Sequence, residues 1–254
     1  MRVLAIIILL FGLSETHAVG KEISIALYDL PPHMHMGPKG PQGAIPEFMN
    51  KYVFVGSSWK PRWRVNQFAR IMKDLENGRV DMAVMVAKTT EREHLFEYSA
   101  LPLYQTHSGV IVKKDFKVNR LDSLEPLRGM KLGHDLASIV PSYFKGAGVN
   151  FYFISGENYF RRNLQLLKSG RVDGIFVPTW SHATFELQNN TDFTILELPE
   201  GALDLYIVFK KNINPEFSQY VNKVLKTQKS EYLKILKRCY NVSTDVRKSI
   251  TFNN

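Results

Sequence analysis

Apolar positions along the chain fall into runs of two kinds, and their alternation predicts an α/β fold. Glu22 to Tyr28, Met82 to Val86, Gly109 to Lys113, Gly174 to Val177 and Leu203 to Lys210 are short, nearly continuous apolar runs, as in strands buried on both faces. Phe68, Ile71, Met72 and Leu75, and again Phe160, Leu164 and Leu167, recur at three- and four-residue spacing. They predict amphipathic helices, each stopped by Asn-Gly or Ser-Gly. Gly43-Ala44-Ile45-Pro46-Glu47-Phe48-Met49 reads as the start of a further helix with Pro and Glu in its first turn. Pro215 to Lys226 and Ser230 to Cys239 read as two C-terminal helices.

One stretch occurs twice. Leu75-Glu76-Asn77-Gly78-Arg79-Val80-Asp81 and Leu167-Lys168-Ser169-Gly170-Arg171-Val172-Asp173 share five of seven positions, and an apolar run follows each. Each copy is a helix-to-strand unit, and two such units a lobe's length apart predict two α/β lobes. The runs Gly109 to Lys113 and Leu203 to Lys210 flank the second copy. If both cross between lobes, residues 113–203 form an inserted second lobe, residues 19–112 and 204–254 form the first, and the cleft between them is the place for a small ligand.

Composition narrows the class. The chain has 254 residues with 33 Lys and Arg, 24 Asp and Glu, a net charge of +9, and 44% hydrophobic residues, enough for one large core or two modest ones. The basic residues are dispersed and the chain reads as exported, so no nucleic acid is expected as a partner. A single cysteine, Cys239, excludes an internal disulfide framework, a four-cysteine zinc site and a CxxC motif, and no cysteine lies near the N-terminus for a lipid anchor. Arg2, the apolar run Val3 to Leu13 and Thr16-His17-Ala18 predict a signal peptide of residues 1–18 cleaved after Ala18. Eleven apolar residues are too few to span a bilayer, which takes about 20. The mature protein is therefore expected in the periplasm, as a monomer.

Several features now coincide in order: Asp29-Leu30-Pro31-Pro32-His33, Gly43 with Glu47-Phe48, the two Gly-Arg-Val-Asp stretches, Thr89-Thr90-Glu91-Arg92, Tyr98-Ser99, and Arg128-Gly129-Met130-Lys131-Leu132-Gly133. With the exported N-terminus, this set resembles the bacterial extracellular solute-binding proteins of family 3, and the resemblance covers nearly the whole mature chain. It implies the two-lobed type II periplasmic binding protein fold, with a mixed sheet flanked by helices in each lobe and two hinge crossings. It also implies a small-molecule ligand and delivery to an inner-membrane transporter or sensor. In the family's amino-acid binders the arginine of the TxxR motif grips the ligand carboxylate; here it is Arg92, and a guanidinium suits that task because it offers two parallel charge-assisted hydrogen bonds. Thr89 stands where a hydroxyl caps the helix that carries Arg92. Two positions depart from the amino-acid pattern. A serine or threonine five residues before the arginine is here Ala87, and the aspartate that pairs with the ligand's ammonium group is Pro178. Ordinary α-amino acids are accordingly expected to bind poorly, unless Asp29, Glu47 or Asp135 substitutes for the missing carboxylate. In the second-lobe loop Ser138 remains, while Asp135 is placed either toward the ligand or on its own loop backbone.

Tyr28 and His33 occupy places from which the family turns an aromatic ring over the ligand, and Trp180 is the tryptophan expected to see the cleft. His33-Met34-His35-Met36 invites a copper reading, but histidines two apart on an extended loop do not close a coordination sphere, so neither metal nor cofactor is expected. The expected function is that of a non-catalytic receptor for a small anionic or zwitterionic solute. An alternative is a small-molecule lyase or dehydratase on the same fold, with His33, Glu47, His134 and Asp135 as the available acids and bases. A soluble ligand sensor is another, and a module of a larger sensor or wall-processing enzyme would need domains for which residues up to Asn254 leave no room.

Overall fold

A computed structural model describes residues 21–136, 138–156, 158–199 and 202–249, with side chains as far as Asn241. The predicted signal segment and its expected cleavage after Ala18 lie outside the described residues. In chain order the elements are β1 (Lys21–Leu27), β2 (His35–Gly37), β3 (Gly40–Gln42), α1 (Ala44–Phe48), β4 (Trp59–Val65), α2 (Phe68–Glu76), β5 (Met82–Ala87), α3 (Thr90–Leu95), β6 (Phe96–Tyr98) and β7 (Tyr104–Thr106). There follow β8 (Gly109–Lys113), β9 (Lys131–Asp135), β10 (Asn150–Ile154), α4 (Tyr159–Lys168), β11 (Gly174–Val177), α5 (Trp180–Glu186), β12 (Phe193–Glu197), β13 (Leu203–Lys210) and α6 (Pro215–Ser249).

These strands form two sheets on one plan. The first runs β4-β1-β5-β13-β6, with β7 also on β13; the second runs β10-β9-β11-β8-β12. In each, the first three strands are parallel and the fourth is antiparallel to the third. The fully apolar runs are thereby explained: every residue of β5 is buried, with Ala83 and Val86 against α2 and with Met82 and Val84 in the core shared with α1 and α6.

The repeated stretch has a structural task. Gly78 and Gly170 end α2 and α4 with φ of 67° and 72°, a backbone that glycine adopts without strain. The aspartate three residues on ties the turn to the neighbouring parallel strand, β1 in the first sheet and β9 in the second. Asp81 accepts the N–H and hydroxyl of Ser24 at 2.7 Å each, and Asp173 accepts the Lys131 N–H at 2.8 Å. Burial opposes ionisation of Asp81, but Lys210 at 2.7 Å and the Ser24 donors outweigh it and hold the carboxyl below its ordinary range. Asp81→Ala is expected to destabilise the protein by about 1 to 3 kcal/mol, since it strands donors that a charged acceptor satisfied. Urea denaturation measures this, and a change within error would show that the staple is dispensable.

Two expectations change. The C-terminal segment is one helix, not two: Thr227 stays helical with its hydroxyl on the Lys223 carbonyl at 3.1 Å, and no Gly or Pro interrupts residues 226–230. Phe217, Val221, Val224, Leu225, Tyr232, Ile235 and Leu236 then pack as one stripe on the first sheet's core. The crossing expected at residue 113 also comes earlier. Strand β8 bonds only to β11 and β12, so the chain changes sheets between Thr106 and Gly109 and returns between Glu197 and Leu203.

Candidate functional site

A cavity of about 250 Å³ lies where the carboxyl ends of the parallel strands β1, β5, β9 and β11 converge, the position at which open α/β sheets place their ligands. Six of the eight residues singled out from the sequence line it: Tyr28, Ala87, Thr89, Arg92, Ser138 and Pro178.

The first-sheet wall is built around Arg92. Thr89 caps α3, its hydroxyl accepting the Arg92 N–H at 3.2 Å, and the cap fixes where the guanidinium projects. The guanidinium donates to the Ala87 carbonyl at 3.2 Å and lies 5.3 Å from the centre of the Phe68 ring. Phe68 in turn meets Tyr28 edge-on at 4.9 Å. Burial pulls the pKa of Arg92 down from its ordinary value; the charge sits in a partly dehydrated wall, where an anion gains more than in water. Tyr28 donates to the Met85 carbonyl at 2.7 Å, and burial first, then the charge of Asp135, pushes its phenol far above its ordinary range, with Arg92 acting in the opposite sense.

Met85 is a feature the sequence did not announce. It has φ of 64°, and the β5–β13 register slips there, Val84 and Val86 facing the adjacent Ile207 and Tyr206. This bulge leaves Met85 unpaired in the ladder and gives Tyr28 its acceptor. No glycine marks it, so a pattern reading has no signal for it.

The second-sheet wall supplies Asp135, Ser138, Tyr159 and Pro178. The backbone carbonyl of Asp135 accepts the Ser138 N–H at 3.0 Å, which closes the turn after β9. Its carboxylate charge contributes to raising the pKa of both Tyr28 and Tyr159, behind burial in each case. Pro178 offers an ammonium group no carboxylate, but Asp135 lines the same cavity as Arg92.

Two of the eight stand elsewhere. His33 is fully buried, with its ring nitrogens 2.5 Å from the Tyr232 hydroxyl and 2.6 Å from the Ser181 hydroxyl, so a neutral imidazole donates at one and accepts at the other. Its loop is pressed on α1 through Gly43, where φ is 110° and a Cβ would come within 2.6 Å of the His33 carbonyl oxygen. Trp180 begins α5, its N–H bonded to the His107 carbonyl at 2.9 Å and its ring against Gly109, and it does not line the cavity. Of the other acids and bases, Glu47 binds Arg238, and His134 is buried with Nε2 at 3.2 Å from the Ile139 carbonyl. Among the described residues no group of three or more His, Cys, Asp or Glu is arranged to hold a metal ion, and no helix is long and apolar enough to cross a membrane.

Comparison with known proteins places this geometry. Residues 23–241 match the bacterial extracellular solute-binding proteins, family 3, and the chain belongs to that family. The mixed α/β architecture is the type II periplasmic binding protein fold. An amino acid ABC transporter substrate-binding protein, AbpA of Streptococcus pneumoniae, solved with L-arginine, is 23% identical, with 88% of this chain and 96% of that one covered and a TM-score of 0.74. An ancestral arginine-binding protein bound to arginine is 26% identical, covering 87% and 99%, with a TM-score of 0.70. An ancestral amino-acid-binding protein, a precursor of cyclohexadienyl dehydratase, is 20% identical, covering 86% and 95%, with a TM-score of 0.69. No curated protein matches the chain by sequence.

Proposed function

We propose that the protein is a non-catalytic periplasmic receptor that closes on a small zwitterionic solute and presents it to an inner-membrane transporter or sensor. One observation carries this reading: Arg92 from the first sheet and Asp135 from the second line a single small cavity. A carboxylate on Arg92 and an ammonium on Asp135 would each meet a charge of opposite sign, and a ligand held by both joins the two halves of the molecule. Two relatives of the same fold hold arginine, an α-amino acid. Tyr28, Thr89, Ala87, Ser138 and Pro178 complete the wall in this reading. The sheet memberships support two lobes, the second formed by β8 to β12 and the first by the remainder. The periplasmic address rests on the Arg2 to Ala18 pattern and on the family.

Native mass spectrometry of protein purified without refolding tests whether a solute is retained, and a thermal-shift panel of amino acids with their des-amino analogues tests its class. Asp135→Asn is expected to weaken a zwitterion by about tenfold or more, roughly 1.4 kcal/mol, while leaving the affinity of the matching des-amino acid nearly unchanged. Equal losses for both would remove Asp135 from the site, and a panel with no stabilising zwitterion would overturn the reading.

A further inference from the structure

The cavity around Arg92 is not the largest. A second, of about 640 Å³, opens between the loop and hairpin that follow β1, the start of α4, helix α5 and the last described turns of α6. It shares only Tyr159 and His182 with the first. A volume of this order is typical of sites for drug-sized organic molecules.

Its chemistry differs from that of the first cavity. Tyr159, Phe160 and Phe185 supply aromatic surface. Among the described residues of the lining are three carboxylates, Asp29, Glu47 and Glu186, and two guanidiniums, Arg161 and Arg238. Glu47 and Arg238 are bound to each other, so they neutralise locally. Asp29 makes no hydrogen bond or ion pair among the described residues, and burial holds its carboxyl above its ordinary range, against the nearby His182, His35 and Arg161 and with the repulsion of Glu186. Beside it, Nδ1 of His35 is buried without a hydrogen-bond partner. The cavity thus offers a carboxylate that no described residue bonds, and flat apolar walls.

We propose that this cavity is a second ligand site, selective for an organic cation: a protonated amine carried on a flat, apolar body. The amine would donate to Asp29, Glu186 would add long-range attraction, and the body would lie against Phe185 and Tyr159, whose ring faces favour a cation. An anion of the same shape would meet the Asp29 carboxylate where the amine would donate.

Tryptamine is a suitable probe because it has no anionic group for Arg92, so the result stands whether or not Arg92 binds the first ligand. Calorimetry is expected to show saturable one-to-one binding of tryptamine, and no binding of indole-3-propionate in Arg92→Ala, where the first cavity has no guanidinium for its carboxylate. Asp29→Asn should weaken tryptamine by about tenfold or more, Glu186→Gln should weaken it by a smaller factor, and Arg92→Ala should leave it unchanged. If Asp29→Asn proves unstable, Glu186→Gln serves as the second variant. Equal binding of the two probes in Arg92→Ala, no saturable binding of tryptamine, unchanged affinity in both acidic-residue variants, or loss of tryptamine binding in Arg92→Ala would each overturn the proposal.

Discussion

Arg92→Ala is expected to leave a folded protein whose affinity for the proposed carboxylate-bearing ligand is weaker by about 2 to 5 kcal/mol. The size follows from the setting. Burial already lowers the pKa of this arginine, so its charge is incompletely hydrated before any ligand arrives. A bound carboxylate replaces the missing water with a fork of two hydrogen bonds, and the alanine variant would force that carboxylate to desolvate against no partner. Arg92→Lys should recover little, because an ammonium is a point charge and cannot reproduce the planar fork that meets two carboxylate oxygens in parallel. Closure should suffer with affinity, since a ligand shifts a conformational equilibrium only through contacts that favour one state. Calorimetry with the ligand recovered by mass spectrometry, joined to small-angle scattering of free and loaded protein, reads both effects. Wild-type affinity in the alanine variant would show that no anionic group of the ligand is held there.

The second large effect is a loss of stability in mild acid. His33 and His134 are both buried, and burial pushes their pKa values down to about 3 and about 4, with His182 adding to the effect at His33 and the Ile139, Phe176 and Ser138 backbone opposing it at His134. An unfolded histidine titrates near 6.5, so between about pH 3 and 6.5 the unfolded chain binds protons that the native protein refuses. The sign is then fixed: these two groups cost nothing extra above pH 6.5, and they destabilise the native state progressively as the pH falls below it. At pH 5 each contributes a loss of about 2 kcal/mol relative to pH 8, about 4 kcal/mol together, against a total stability on the order of 5 to 15 kcal/mol. Urea denaturation at the two pH values measures the difference. His33→Gln, whatever its own stability, should remove about half of it; an unchanged pH dependence in that variant would place the titrating group elsewhere.

The strands and the paired helix-to-strand units were legible because both-face burial and helical spacing are local properties of the chain. Asp81 and Asp173 were legible as a repeat, though their task of tying a turn to a neighbouring strand needed the sheet order. Arg92 and Thr89 followed from a short motif whose geometry is set within one helical turn. Asp135 and Tyr159 were harder, since whether a residue beyond a strand end turns into a cavity depends on backbone angles that no periodicity reports. His33 was misplaced for a related reason: its partners, Tyr232 and Ser181, lie 199 and 148 residues away in sequence. Trp180 was misplaced because the segment against which its ring packs is where the chain changes sheets, earlier than the pattern indicated.

The two sheets share a plan but not an order of completion. All five strands of the second lie in one continuous stretch, residues 109–197. The first is assembled from both sides of that stretch, and the strand joining its halves, β13, is synthesised last of all. Until residues 203–210 take their place, β4-β1-β5 and the short β6 and β7 share no hydrogen-bonded neighbour. A chain emerging N-terminus first therefore has the second sheet complete in sequence while the first still waits for its keystone, and the loops that line the Arg92 cavity on that side wait with it.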